Sequence, residues 1–209
     1  GGFMIDLYTW GTPNGRKVSV MLEECGLPYT THKVDIGKAN DQFKPEFLAI
    51  SPNGKIPAIV DSEGPGGKRY SMFESGAILV YLAGKTGKFM PDDLAGKYDT
   101  LQWLMFQMAS VGPMFGQVHH FLRAAPEPVP YGIERYSKEK DRLYGVMNKR
   151  LGESRYLAGS TYSIADIATY PWVSRFDYHK TNLDDHPHVK RWYDELSARK
   201  AVQRGMAVP

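Results

Sequence analysis

Glycine and proline recur at short intervals up to Thr86, and the segments between them alternate between strand and helix character. Met4-Ile5-Asp6-Leu7-Tyr8-Thr9-Trp10 alternates as a strand does and is broken by Gly11-Thr12-Pro13-Asn14-Gly15. Val18, Met21 and Leu22 then recur at helical spacing, with Pro13 suited to a first helical turn and Gly26 to a stop before Leu27-Pro28. Tyr29 to Asp35 reads as a second strand, since Tyr, Thr and Val favour a pleated surface. Such a β-α-β unit needs parallel strands and a right-handed crossover. Asp41 to Ile50 reads as a short helix. Ile56 to Asp61 and Lys68 to Phe73 read as a hairpin around Gly64-Pro65-Gly66-Gly67. Glu74-Ser75 opens a helix carrying Ile78, Leu79, Tyr81 and Leu82, which ends near Gly84 and Gly87.

The character then changes. Lys88 to Gly96, with Pro91-Asp92-Asp93, reads as a linker, and Tyr98–Val111, Ile133–Leu151, Ile164–Phe176 and His188–Lys200 read as helices. Ser163 and Asp166 are spaced as a capping box at the third of these. The fold class predicted is α/β plus all-α: a thioredoxin-sized α/β domain over residues 4–86, a linker over 87–97 and an all-helical domain over 98–209. Gly1-Gly2-Phe3 ahead of Met4 reads as an expression remnant and is set aside.

A chain of 209 residues, 42% apolar and 23% charged, has ample core-forming side chains, which argues against a disordered tail or a membrane span. The net charge of +3 and the lack of any block of five like charges argue against nucleic acid as the main partner. Cys25 is the only cysteine, so an internal disulfide and a CxxC dithiol are both impossible and a reducing compartment is favoured. The start shows no signal-peptide pattern, which makes the cytoplasm the expected location. Gly84-Lys85-Thr86 copies the end of a phosphate-binding loop, but Leu79 stands where its first glycine belongs. His119-His120 are adjacent and diverge on a helix without other metal ligands at suitable spacing, so no metal is expected and packing is the better reading. Trp103, Phe106 and Met108 read as helix core, and Cys25, between Glu24 and Gly26, lacks the positive neighbours that activate a thiol.

Three loops should meet at one end of the sheet: Thr12-Pro13-Asn14, Lys55-Ile56-Pro57 and Glu74-Ser75. Ser75 at a helix N-terminus suits a carboxylate and Glu74 an ammonium, which together fit an amino-acid head group. Ile56, if it precedes a cis proline, offers its backbone to an extended peptide, and Lys55 can meet a second carboxylate. The residues thus point to a small anionic peptide.

Ile56-Pro57 before a strand, Phe73-Glu74-Ser75-Gly76-Ala77-Ile78 and Tyr162-Ser163-Ile164-Ala165-Asp166 together resemble the cytosolic glutathione transferase family over essentially the whole chain. Within it, Thr12-Pro13-Asn14-Gly15, the Ser51-Pro52-Asn53-Gly54-Lys55 segment and Gly116-Gln117-Val118-His119-His120-Phe121 resemble the bacterial Nu class, whose members are glutathione-dependent disulfide reductases. The resemblance implies a homodimer with glutathione or its disulfide as cosubstrate. It implies that Thr12 donates to a glutathione sulfur, Asn14 positions it, Glu74 and Ser75 hold the γ-glutamyl group, and Ile56 pairs with the cysteinyl backbone. By the same resemblance Gln42 contacts the glycyl end, and Gln102 and Arg135 reach the tripeptides, from the partner subunit in a dimer. Val118 departs from the class, which carries Asn there. The implied chemistry is thiol–disulfide exchange with sulfur supplied by the ligand. The alternatives are conjugation of glutathione to electrophiles and a noncatalytic glutathione-binding module; the intact Glu74-Ser75 and Ile56-Pro57 speak against the latter.

Overall fold

The computed structural model describes residues 4–209, so Gly1-Gly2-Phe3, set aside above, lie outside the described residues. The chain forms two units. One comprises the residues up to Lys88 together with Lys200–Pro209, the other Phe89–Arg199.

In the first unit β1 (Ile5–Thr9), α1 (Pro13–Cys25) and β2 (Tyr29–Lys33) make the predicted β-α-β unit, with β1 and β2 parallel. The Asp41–Ile50 stretch is a 3₁₀ turn over Asp41–Phe43 followed by the short α2 (Pro45–Leu48). Lys44 before Pro45 is extended (φ −67°, ψ 141°), because the proline ring crowds the helical conformation of its predecessor. β3 (Ala58–Asp61) and β4 (Tyr70–Phe73) form the antiparallel hairpin, and α3 spans Ser75–Thr86. The sheet order is β2-β1-β3-β4, with β3 antiparallel to β1. All four residues of β3 are buried, as suits an inner strand. Ile5, Leu7 and Ile59 of the sheet, Val18, Met21 and Leu22 of α1 and Ile78, Leu79 and Leu82 of α3 are all fully buried.

A helix missed in the sequence, α9 (Lys200–Ala207), completes this unit by lying along α1. Ser19 Oγ donates to the Gly205 carbonyl at 2.7 Å, and Arg204 pairs with Glu23. Gly205 is required by this close approach, since a Cβ there would strike the backbone of Val20.

The second unit is all helical. α4 (Leu94–Phe106), a π turn (Gln107–Val111), α5 (Gly112–His119) and a second π turn (His120–Ala124) follow without interruption. Gly112-Pro113 does not end this run as a proline usually does. The first π turn pairs the Gly112 N–H with the Gln107 carbonyl, and this wider turn accommodates a residue lacking an N–H. α6 (Pro130–Glu153) starts at its proline, where the missing N–H costs nothing. α7 (Ile164–Val173) is wholly buried and begins at the predicted capping box: Ser163 Oγ accepts from the Ala165 N–H at 3.2 Å and Asp166 from the Ser163 N–H at 3.0 Å. α8 spans Pro187–Ser197. Among the described residues no helix is long and apolar enough to cross a membrane.

Candidate active site

Strand register decides where the loops of the first unit fall. Tyr8 near the end of β1 faces Ala58 at the start of β3, and Ala58 faces Phe73 at the end of β4. The chain leaving β1 toward Thr12, the chain entering β3 from Ile56 and the chain leaving β4 into Glu74 therefore emerge at one end of the sheet.

Thr12 is extended (φ −112°, ψ 162°) and caps α1, its hydroxyl oxygen accepting the Gly15 N–H at 3.2 Å. With the oxygen taken by the helix, the hydroxyl proton is what Thr12 offers a ligand. Only glycine fits at position 15, because a Cβ there would run into Thr9 Oγ1 and the Trp10 carbonyl. Asn14 stands half-buried in the same first turn.

The Ile56–Pro57 peptide bond is cis. Ile56 is buried with Val34, Phe47 and Ala58, packed by Tyr8, Trp10, Ile36 and Ile50, so this apolar cluster fixes the chain just ahead of the β3 ladder. The Lys55 side chain is exposed while its carbonyl accepts from Ser51 Oγ at 2.7 Å. Gln42, 9% exposed, sits in the 3₁₀ turn before α2 and donates to Asn40 Oδ1 at 3.4 Å. Its neighbour Asp41 ties the turn down by accepting the Asp35 N–H at 3.0 Å and pairing with Lys44 at 2.6 Å.

Glu74 precedes α3 with φ 72° and ψ 107°, a conformation that side chains other than hydrogen rarely adopt, while its carbonyl accepts the Ile78 N–H at 2.9 Å. Its carboxylate is exposed, and Ser75 beside it is 5% exposed. Behind Ser75 lies Lys17 of α1, a residue that sequence reasoning passed over. Lys17 is 1% exposed and its Nζ donates to Ser75 Oγ at 3.2 Å. Burial pushes its amino group down to about 7 from the usual lysine value, with the Glu74 carboxylate acting in the opposite sense. The signal for it was its place four residues before Met21 and three before Val20, on the stripe of α1 that faces the core.

Gln102 on α4 and Arg135 on α6 belong to the second unit. Gln102 is exposed and donates to Asp99 at 3.1 Å. Arg135 lines an open groove with Met114, Tyr131, Glu134, Glu139 and Arg142. Val118 is fully buried in α5.

The decoys are absorbed by the fold. Lys85 pairs with buried Asp61 at 2.9 Å, and Thr86 Oγ1 donates to the Leu82 carbonyl. His119 meets the His179 ring edge-on at 5.7 Å, and His120 meets Phe121 likewise at 5.0 Å. Among the described residues no group of three His, Cys, Asp or Glu side chains is arranged to hold a metal. Cys25 is 7% exposed with its sulfur 3.6 Å from Thr86 Oγ1, and burial pushes the thiol up. It sits at the far end of α1 from Thr12, about 20 Å away at 1.5 Å per residue.

Residues 12–85 match the family description "Glutathione S-transferase, N-terminal domain" and residues 118–200 match "Glutathione S-transferase, C-terminal domain". The chain is 52% identical over 204 residues to the Escherichia coli disulfide-bond oxidoreductase YfcG, covering 97% of this chain and 94% of that protein. It is 38% identical to the Escherichia coli disulfide-bond oxidoreductase YghU, covering 100% of this chain and 76% of that one. Among solved structures it superposes with a TM-score of 0.94 on a Pseudomonas fluorescens glutathione transferase family member with two glutathiones bound. That match is 48% identical and covers 98% of this chain and 93% of the other. A Pseudomonas putida glutathione transferase with one glutathione disulfide per subunit also gives 0.94, at 45% identity and covering 99% and 92% of the two chains. By the match of both its domains and by full-length identity to these relatives, this chain belongs to the glutathione transferase family.

Proposed function

We propose that the protein is a glutathione-dependent disulfide-bond reductase that uses the thiolate of bound glutathione as its nucleophile. The observation that carries this reading is the position of sulfur. The only protein thiol is buried, raised in pKa and remote from the three loops, while those loops bring together the Thr12 hydroxyl, the Asn14 amide, the Ile56 backbone ahead of β3 and the Glu74-Ser75 pair. The relatives named as disulfide-bond oxidoreductases support it.

The roles are those that the residue types and the family resemblance imply. Glu74 and Ser75 receive the ammonium and carboxylate of the γ-glutamyl group, Ile56 pairs with the cysteinyl backbone, and Gln42 and Lys55 serve the glycyl carboxylate. The peptide so held brings its sulfur to the N-terminus of α1. There the Thr12 hydroxyl and the Asn14 amide, aided by the positive end of the helix, favour the thiolate over the thiol. One glutathione thiolate attacks a substrate disulfide, forming a mixed disulfide and releasing a substrate thiolate. A second glutathione thiolate attacks the glutathione sulfur of that mixed disulfide, giving glutathione disulfide and the second substrate thiolate. The two protons shed by the glutathiones end on the two substrate thiols. As the family resemblance implies, Gln102 and Arg135 reach the tripeptides from the partner subunit of a homodimer working in the reducing cytoplasm.

Steady-state assays with hydroxyethyl disulfide and with 1-chloro-2,4-dinitrobenzene separate this reading from conjugation. Disulfide turnover with stoichiometric glutathione disulfide is expected. Ready conjugation without disulfide turnover overturns it.

A further inference from the structure

We infer that Trp10 is a positioning residue for the proposed reaction: it holds the Thr12 hydroxyl at a fixed distance from the Ile56 backbone and so sets where the sulfur of the bound peptide falls. The inference rests on the functional reading above and adds a residue to it. Thr12 and Ile56 lie on different loops, one after β1 and one before β3. A peptide paired with Ile56 brings its sulfur to Thr12 only if the two loops keep their spacing.

Trp10 is tied to both. Its main chain belongs to the Thr12 loop, where its carbonyl accepts the Thr12 N–H at 2.6 Å and closes a three-residue turn across Gly11. The same carbonyl accepts from Oγ1 of the buried Thr9 at 3.4 Å. Gly15 lies so close to it that a Cβ there would collide with it. The carbonyl is thus held from the end of β1, from the turn and from the start of α1. The half-buried Trp10 side chain packs in turn against the cluster of Val34, Phe47, Ile56 and Ala58. A packed indole is a rigid plate, and close-packed neighbours transmit its position. Without the ring each loop keeps its own supports, since Thr12 still caps α1 and Ile56 still has Val34, Phe47 and Ala58. What is lost is the link between the two loops, and a misplacement of about 1 Å at a reacting centre can cost up to about a hundredfold in rate. Ile36, on the segment after β2, packs against the same cluster without belonging to either loop, which makes it the control.

The test reads three quantities: steady-state reduction of hydroxyethyl disulfide, affinity for S-methylglutathione, which has no thiol to titrate, and the ultraviolet absorbance of the bound glutathione thiolate against pH. Trp10→Ala is expected to lower kcat about tenfold. It is also expected to move thiolate formation up by about one pH unit, through a weakened hydrogen bond to the charged sulfur, with S-methylglutathione affinity and the KM for glutathione nearly unchanged. Trp10→Phe, which keeps an aromatic plate, is expected to restore most of both losses. Ile36→Ala, which also thins the cluster, is expected to leave kcat and the thiolate profile unchanged. Should Trp10→Ala fail to fold, Trp10→Leu decides in its place, with changes in the same direction. An unmoved thiolate profile in the folded Trp10 variant overturns the inference and leaves the functional reading intact, and so does an equal loss in Ile36→Ala. Absence of disulfide turnover by the wild-type protein overturns the functional reading and this inference with it.

Discussion

Glu74 shows what a position proposed to hold the head group costs at the scale of one residue. Its φ of 72° and ψ of 107° suit glycine, and a side chain held there costs roughly 1–3 kcal/mol. Glu74→Gly is expected to raise the thermal midpoint by a few degrees, about 2–4 °C per kcal/mol at this chain length, while weakening glutathione binding. A lowered midpoint contradicts the assignment of strain. Thr12 separates two roles of a single hydroxyl. Thr12→Val removes both the cap on α1, worth about 1 kcal/mol, and the proton offered to sulfur, so kcat/KM for disulfide reduction is expected to fall at least tenfold. Thr12→Ser is expected to retain most activity. Cys25→Ser, which alters a thiol remote from Thr12, is expected to leave turnover nearly unchanged. An inactive Cys25→Ser protein that still folds and binds glutathione refutes ligand-supplied sulfur. The placement of Thr12, Ile56, Glu74 and Ser75 at one end of the sheet was legible in the sequence because each stands at a break between a strand and its neighbour. Lys17 was not, because it looks like an ordinary surface lysine until α3 is seen to close over it.

At the scale of elements, local chemistry was readable and long-range chemistry was not. The β-α-β unit, the hairpin and the capping box all rest on spacings of a few residues, and all are present. The antiparallel pairing of β1 with β3, the continuation of the helix through Gly112-Pro113 and the seating of α9 on α1 depend on partners remote in sequence. The capping box itself reaches further than its motif. Asp166 accepts not only from Ser163 but from the Leu157 N–H at 3.0 Å and from Trp192 Nε1 at 2.8 Å, so one buried carboxylate joins α7, the preceding loop and α8. Asp166→Ala leaves those donors unpaired and is expected to destabilise the protein by roughly 3–5 kcal/mol. Ser163→Ala removes only the cap and is expected to cost about 1 kcal/mol. Burial raises Asp166 to about 6, above the ordinary aspartate value near 4 in the unfolded chain. The folded state therefore binds the extra proton between those values, and this group's contribution to stability falls as pH rises from about 4 to about 6. Chemical denaturation of the wild-type protein and Asp166→Asn at pH 4.5 and 7 checks this. The wild type is expected to lose more stability than the variant on going to pH 7, and equal changes contradict it.

At the scale of the whole molecule, the first unit is discontinuous in sequence. α1 is capped by Thr12 and carries Lys17, and its outer face is closed by α9 through Ser19, Glu23 and the close approach of Gly205 to Val20. Gly205→Leu cannot be accommodated at that approach and is expected to lower the thermal midpoint and weaken S-methylglutathione binding together. A variant as stable and as tight-binding as the wild type contradicts the assigned seat of α9. The same closure gives the protein a timetable. A ribosome that has finished α3 must still make the 113 residues from 87 to 199 before α9 begins, roughly 6–23 s at ordinary elongation rates. Through that interval the α1 surface around Val20 faces water. The first unit, although nearly all of it is made first, is the last part of this chain to be sealed.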